Sequence, residues 1–123
     1  MSFLFEPENL LPQDGIAIYH GVVFNEQEAT LICNKLFETI PWKQDEVMMF
    51  GKKIITKRKV AWYADAGITY TYAGVKKSGL QWNSDLLVIK QKVEAITGAK
   101  YNACLLNLYH EGEEGMGWHQ DNE

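Results

Sequence analysis

Two segments of this 123-residue chain carry both a start and a stop signal for a helix, and what lies between them alternates like strand. In "NEQEATLICNKLFETIP", Asn25 is a capping residue, Glu28 completes a capping box, and Pro41 ends the run. Leu31, Ile32, Leu36, Phe37 and Ile40 recur there at helical spacing. In "NSDLLVIKQKVEAITG", Asn83 or Ser84 caps, Leu86, Ile89, Val93 and Ile96 make the apolar stripe, and Gly98 terminates. A strand is expected before the first helix, at "IAIYHGVVF" (16–24). Short strands and turns follow from Trp42 to Tyr72, with a tight hairpin at "MMFGKK" and clean alternation in "ITYTYAG". After the second helix come a strand at "YNACLLNLYH", the loop "EGEEGMG", and the start of another strand at "WHQDNE". That order suits an α+β domain whose helices are segregated from a mostly antiparallel sheet.

The length allows one small domain with a single core, and no repeat, low-complexity segment or linker divides it. The net charge of -4 does not point to nucleic acid, but its distribution is uneven. Lys52, Lys53, Lys57, Arg58 and Lys59 crowd into "GKKIITKRK", whereas "HEGEEGMGWHQDNE" is acidic. Cys33 and Cys104 stand apart in apolar runs and read as reduced core thiols. "MSFLFEPENLL" lacks the basic start and apolar run expected of a signal peptide, and no stretch approaches the ~20 apolar residues that span a bilayer. The expectation is a protein without a membrane partner, cytoplasmic, or nuclear in a eukaryote.

Four clusters carry chemistry. His119 and Asp121, two apart on a strand, place an imidazole and a carboxylate on one face. With open positions left, these ligand types suit ferrous iron; the alternative is a solvent-facing pair. Glu123 continues the same alternation. Asn107 and Tyr109 share a face of the preceding strand, either converging on that site or marking a strand end that turns polar. Tyr70 and Tyr72 either stack on a flat ligand or fill a core. Met48, Met49 and Phe50, at a hairpin tip before two lysines, form either an exposed wedge that unstacks a duplex or an inward-packed turn.

Taken together and in this order, the clusters resemble the AlkB family of Fe(II)- and 2-oxoglutarate-dependent dioxygenases, most closely its duplex-DNA-repair branch. The similarity runs from about "MMFGKK" to Glu123, through "RKVAWYADAGITYTYAG" and "NLYHEGEEGMGWHQDNE". It implies a helix-backed double-stranded β-helix (jelly roll) of the 2-oxoglutarate oxygenase type. It also implies that His119 and Asp121 ligate Fe(II), and that Asn107 and Tyr109 hydrogen-bond 2-oxoglutarate. Tyr70 and Tyr72 would line the pocket for a flipped-out base, and Glu123 would meet that base's exocyclic amine. Phe50 would fill the gap in the stack. Arg58, with Lys52 and Lys53, would hold phosphates. The implied reaction is oxidative demethylation of N-methylated bases such as 1-methyladenine and 3-methylcytosine, in alkylated DNA or RNA, with loss of formaldehyde.

The family pattern continues past His-x-Asp to a second iron-binding histidine and to arginines that pair with 2-oxoglutarate. In this sequence the other histidines are His20 and His110, and Arg58 is the only arginine. The chain is therefore expected to be the N-terminal part, 1–123, of a single AlkB-like domain whose fold is incomplete at its C-terminus. Within it, 1–41 would be the N-terminal strand and helix, 42–82 the nucleotide-recognition hairpins, and 83–123 the second helix and first core strands. Alone it is expected to be inactive, and to associate through exposed strand edges. Two other readings remain: a non-catalytic nucleic-acid-binding module, and a dioxygenase acting on protein or a small molecule.

Overall fold

The computed structural model describes residues 8–72 and 75–115. Two helices and five strands follow in chain order: α1 (Glu26–Thr39), β1 (Lys43–Met49), β2 (Lys52–Ala64), β3 (Thr69–Tyr72), β4 (Val75–Ser78), α2 (Ser84–Thr97) and β5 (Ala103–Leu108).

Both helices begin where their capping residues stand. Asn25 Oδ1 accepts from the Glu28 backbone N–H at 2.8 Å while the Glu28 carboxylate accepts from the Asn25 N–H, a complete capping box. The Trp42 indole donates to the Phe37 carbonyl at 3.1 Å, satisfying one of the acceptors that the last turn of α1 leaves open. On α2, Asn83 rather than Ser84 is the cap, accepting from Leu86 N–H at 2.8 Å, and Gly98 closes the helix at φ +74°.

β2 is the spine of the fold. It pairs antiparallel with β1 on one side and with β5 on the other, giving the sheet order β1-β2-β5. Beyond Val60, β1 no longer accompanies it, and Leu80 takes that place through Ala64 N–H to Leu80 O and Leu80 N–H to Trp62 O. The approach at Gly79 is close enough to require glycine: a Cβ there would lie 2.6 Å from the Ala64 Cβ. β3 and β4 form a separate two-stranded antiparallel ribbon whose second strand lies against β1.

Side chains from one face of the sheet, Ala61 and Tyr63 on β2 with Cys104 and Leu106 on β5, pack against Leu36, Ile40, Leu86 and Ile89 from the helical segments. Helices on one side of an antiparallel sheet is the α+β arrangement expected. The described strands form one three-stranded and one two-stranded sheet.

Three expectations need correction. "IAIYHGVVF" is not a strand: it contributes one bridge, Ile18 to Asn9, because Gly21 turns the chain at φ +79° and no described strand lies alongside. The stripe on α1 is only partly buried; Ile32, Leu36 and Ile40 face inward, but Leu31 and Phe37 are about 60 % exposed. Cys33 sits on that outer side and is exposed, not a core thiol, while Cys104 is half-buried and burial pushes its thiol pKa up.

Candidate cofactor face and nucleic-acid hairpin

Among the described residues, the face of the sheet turned away from the helices is partly exposed. Because side chains alternate, Val60 and Trp62 on β2 share it with Leu105 and Asn107 on β5; Val60 stands opposite Asn107, and Trp62 opposite Leu105. Tyr109, directly after β5, is exposed, as Asn107 is. Asn107 in the sheet and Tyr109 just past its end are thus two exposed neutral donors close in the chain. An amide N–H and a phenolic hydroxyl fit a carboxylate such as that of 2-oxoglutarate, although neither supplies the positive charge a dicarboxylate calls for.

The chain leaves this face through an ordered loop. The Glu114 carboxylate accepts from the backbone N–H groups of His110, at 2.6 Å, and Glu111, at 2.9 Å, and lies 3.4 Å from His110 Nδ1. Burial raises its pKa, but the bonds from the His110 side chain and from the two backbone N–H groups outweigh that and hold it below the ordinary carboxylate range. Glu114 is therefore charged at neutral pH and ties the start of the glycine-rich loop to the end of β5. A cleft of about 600 Å³ separates this loop from β2, with Thr56, Arg58 and Lys59 on one wall and His110 and Glu114 on the other.

β1 and the outer half of β2 extend as a hairpin. Its connection is the two-residue turn Phe50-Gly51, with Met49 paired to Lys52. Both turn residues have positive φ, +52° at Phe50 and +75° at Gly51, as the type I′ turn that matches strand twist requires. For glycine this costs little; for a bulky phenylalanine it is a strained conformation. The strain is not offset by packing, since Phe50 is 96 % exposed. Met48, Met49, Ile54 and Ile55 behind it are also exposed, so the tip points into solvent and does not pack inward. Lys53 pairs with Glu46 at 3.0 Å across the strands, whereas Lys52 and Lys57 are exposed and form no ion pair among the described residues.

Arg58 has a different place from the one expected. It is 8 % exposed and its Nη2 donates to Asp45 Oδ2 at 2.7 Å, so it is not an open cation for phosphate. The reason is local: a bulge in the β1–β2 ladder turns both side chains inward. Asp45 and Thr56, which contacts it, were not picked out from the sequence, nor was Glu114. Regular pairing from the Phe50-Gly51 turn would set Asp45 against Thr56, so its approach to Arg58 had no signal in the spacing.

Tyr70 and Tyr72 lie on β3, opposite Lys77 and Val75 of β4. His119, Asp121 and Glu123 fall outside the described residues, as does the strand expected at "WHQDNE". Among the described residues no group of three or more His, Cys, Asp and Glu side chains could hold a metal ion, and no helix is long and apolar enough to cross a membrane.

Residues 15–123 match the family model of the 2OG-Fe(II) oxygenase superfamily. The human DNA oxidative demethylase ALKBH2 is 34% identical over 113 residues, covering 89% of this chain and 43% of that protein. Its Mus musculus counterpart is 32% identical over 116 residues, covering 92% of this chain and 48% of the relative. The human alpha-ketoglutarate-dependent dioxygenase alkB homolog 3 is 30% identical over 109 residues, 88% of this chain and 37% of that protein. The chain thus spans less than half the length of these relatives. The family model and these relatives together cover nearly the whole chain: it belongs to the AlkB family of 2OG-Fe(II) oxygenases.

Proposed function

We propose that this chain is part of a nucleic-acid repair dioxygenase that removes N-methyl groups from bases such as 1-methyladenine and 3-methylcytosine. The observation that carries the reading is Phe50, an aromatic side chain held in a strained turn, fully in solvent, at the tip of a hairpin flanked by lysines. Strain of about 1–3 kcal/mol at an exposed apolar residue needs a functional reason, and insertion between base pairs is one. Lys52 stands beside the tip and Lys57 farther down the same strand, both exposed and able to meet phosphates. The likeness to the DNA oxidative demethylase ALKBH2 supports the same class of substrate.

In this reading His119 and Asp121 hold Fe(II), and Asn107 and Tyr109 hydrogen-bond 2-oxoglutarate. Tyr70 and Tyr72 line the pocket for the extruded base, and Glu123 accepts from its exocyclic amine. When bound, Fe(II) and 2-oxoglutarate would supply the oxidising chemistry, with dioxygen as the oxidant and the source of the oxygen atom added to the N-methyl group, whose carbon would leave as formaldehyde. Glu114 keeps the loop between the cofactor face and the iron ligands in register. The double-stranded β-helix is part of this proposal.

The test is formaldehyde release by the full-length enzyme that contains this chain, from single- and double-stranded oligonucleotides carrying 1-methyladenine or 3-methylcytosine, with Fe(II), 2-oxoglutarate and dioxygen present. Phe50→Ala is expected to lower release from duplexes far more than from single strands, where no stack must be opened. Absence of release from every methylated oligonucleotide would sink the reading.

A further inference from the structure

The β1–β2 ribbon is interrupted at one place, midway between the sheet and the Phe50 tip. Gln44 pairs with Lys59 and Glu46 with Ile55, so Asp45 alone stands against Thr56, Lys57 and Arg58. A ladder with extra residues on one side bends and increases its twist there, so this bulge sets the direction in which the hairpin leaves the sheet.

The bulge is closed by polar bonds. Asp45 uses Oδ2 to accept from Arg58 Nη2 at 2.7 Å and Oδ1 to accept from the Glu46 N–H at 3.0 Å. The Thr56 hydroxyl accepts from the Asp45 N–H at 3.2 Å and has the Arg58 and Asp45 carbonyls at 3.0 and 3.3 Å as acceptors for its proton. Asp45 and Arg58 are the charged residues buried in the described fold, and Arg58 Nε is buried without a hydrogen-bond partner there. A buried ion pair is a weak means of stabilisation, since an apolar pair of similar volume commonly does as well or better. What it provides is direction, because a guanidinium fork and a carboxylate meet in few orientations.

We propose that Asp45, Thr56 and Arg58 form a joint that fixes the pitch of the Phe50 hairpin, and so act as positioning residues for duplex opening. The joint rests on the reading of Phe50 as a wedge in the base stack. It assigns to Arg58 the aiming of the hairpin in place of phosphate contact. Beyond the joint the hairpin is a lever of four residue pairs, from Glu46–Ile55 to Met49–Lys52, so a small rotation at the joint is amplified at the tip.

The experiment compares variants of the full chain on a duplex carrying 2-aminopurine, whose fluorescence rises when it is unstacked, with duplex affinity and melting followed alongside. The double variant Asp45→Leu, Arg58→Met removes the polar joint without leaving a lone buried charge. It is expected to melt no lower than the wild type and to bind duplex with the same salt dependence. Its unstacking signal should fall on the order of tenfold, the sensitivity expected when a group is misplaced by ~1 Å. Thr56→Val should show the same split between affinity and unstacking, and Thr56→Ser should restore the signal. Phe50→Ala is the control for the underlying reading: if it unstacks as well as the wild type, the wedge itself is refuted. If Phe50→Ala loses the signal while the double variant and Thr56→Val keep it, the joint is refuted and the wedge stands. A parallel fall in affinity, melting and unstacking in Thr56→Val, with no rescue by Ser, also overturns the joint, because that is what a merely structural bond would give.

Discussion

The two ends of the β1–β2 ribbon reverse the usual division between apolar and charged side chains. At its tip Met48, Met49 and Phe50 stand in solvent; at its base Asp45 and Arg58 are buried. Neither end is what stability alone would select. Exposed apolar side chains forgo burial worth about 1.5–3 kcal/mol each, and buried charges incur desolvation that their attraction only partly offsets. The helix-backed half of the same strand β2, where Ala61 and Tyr63 are buried among Ile40 and Leu86, follows the ordinary pattern. One strand therefore has two regimes: an inner half that holds the domain together and an outer half shaped for contact. The bulge at Asp45 lies where one gives way to the other.

The comparison can be broken at several points. The largest effect is expected from Asp45→Ala, which leaves the Arg58 guanidinium buried without its carboxylate and should cost about 3–5 kcal/mol in urea denaturation. A loss below about 1 kcal/mol would mean that the base of the ribbon is solvated and the contrast with the tip false. At the tip the sign reverses. Phe50→Gly removes the left-handed strain of a residue that packs on nothing, offset in part by the entropy of glycine in the unfolded chain, and should raise stability by about 0.5–1 kcal/mol. The same variant should lose duplex unstacking, so stability and function move in opposite directions. Lys52→Ala should leave stability unchanged and reduce the salt slope of duplex binding by about 1, weakening all sequences alike.

The smallest effect lies outside the ribbon, at a carboxylate in the ordinary regime. The Tyr101 backbone N–H, at 2.9 Å, and then Lys90, also at 2.9 Å, hold the Glu94 pKa below 4.5. A carboxyl depressed by folding adds stability that is present above 4.5 and is lost as the pH falls through its lowered folded value. Glu94→Gln should therefore flatten the fall in denaturation midpoint between neutral pH and the acid side of 4.5. An unchanged pH profile would show that these bonds do not persist in solution.

Local signals were legible wherever a residue's role depends on its near neighbours. The Asn25–Glu28 box, the Asn83 cap, the Gly98 terminator and the turn at Gly51 all appear where the sequence places them. Of the pair Asn107-x-Tyr109, Asn107 lies in β5, whereas Tyr109 falls just past its end. The segment 16–24 misled because β-branched and aromatic composition describes a residue's fitness for a sheet, not whether a partner strand is near. Arg58 misled for a related reason. Its sequence neighbours are lysines, which suggests a phosphate site, but its spatial neighbour is Asp45, brought close by a register shift that no spacing rule reveals.

The sequence by itself determined the helix limits, the hairpin tip, the α+β class and the membership of the AlkB family, because caps, turns and motif spacing are encoded within a few residues of where they act. Only the tertiary structure decided that Phe50 stands in solvent, that Asn107 occupies the sheet face away from the helices, and that Arg58 is buried against Asp45. Exposure and charge pairing depend on which distant segments share a ladder and in what register, and that is settled by packing the whole sheet rather than by any one stretch of it.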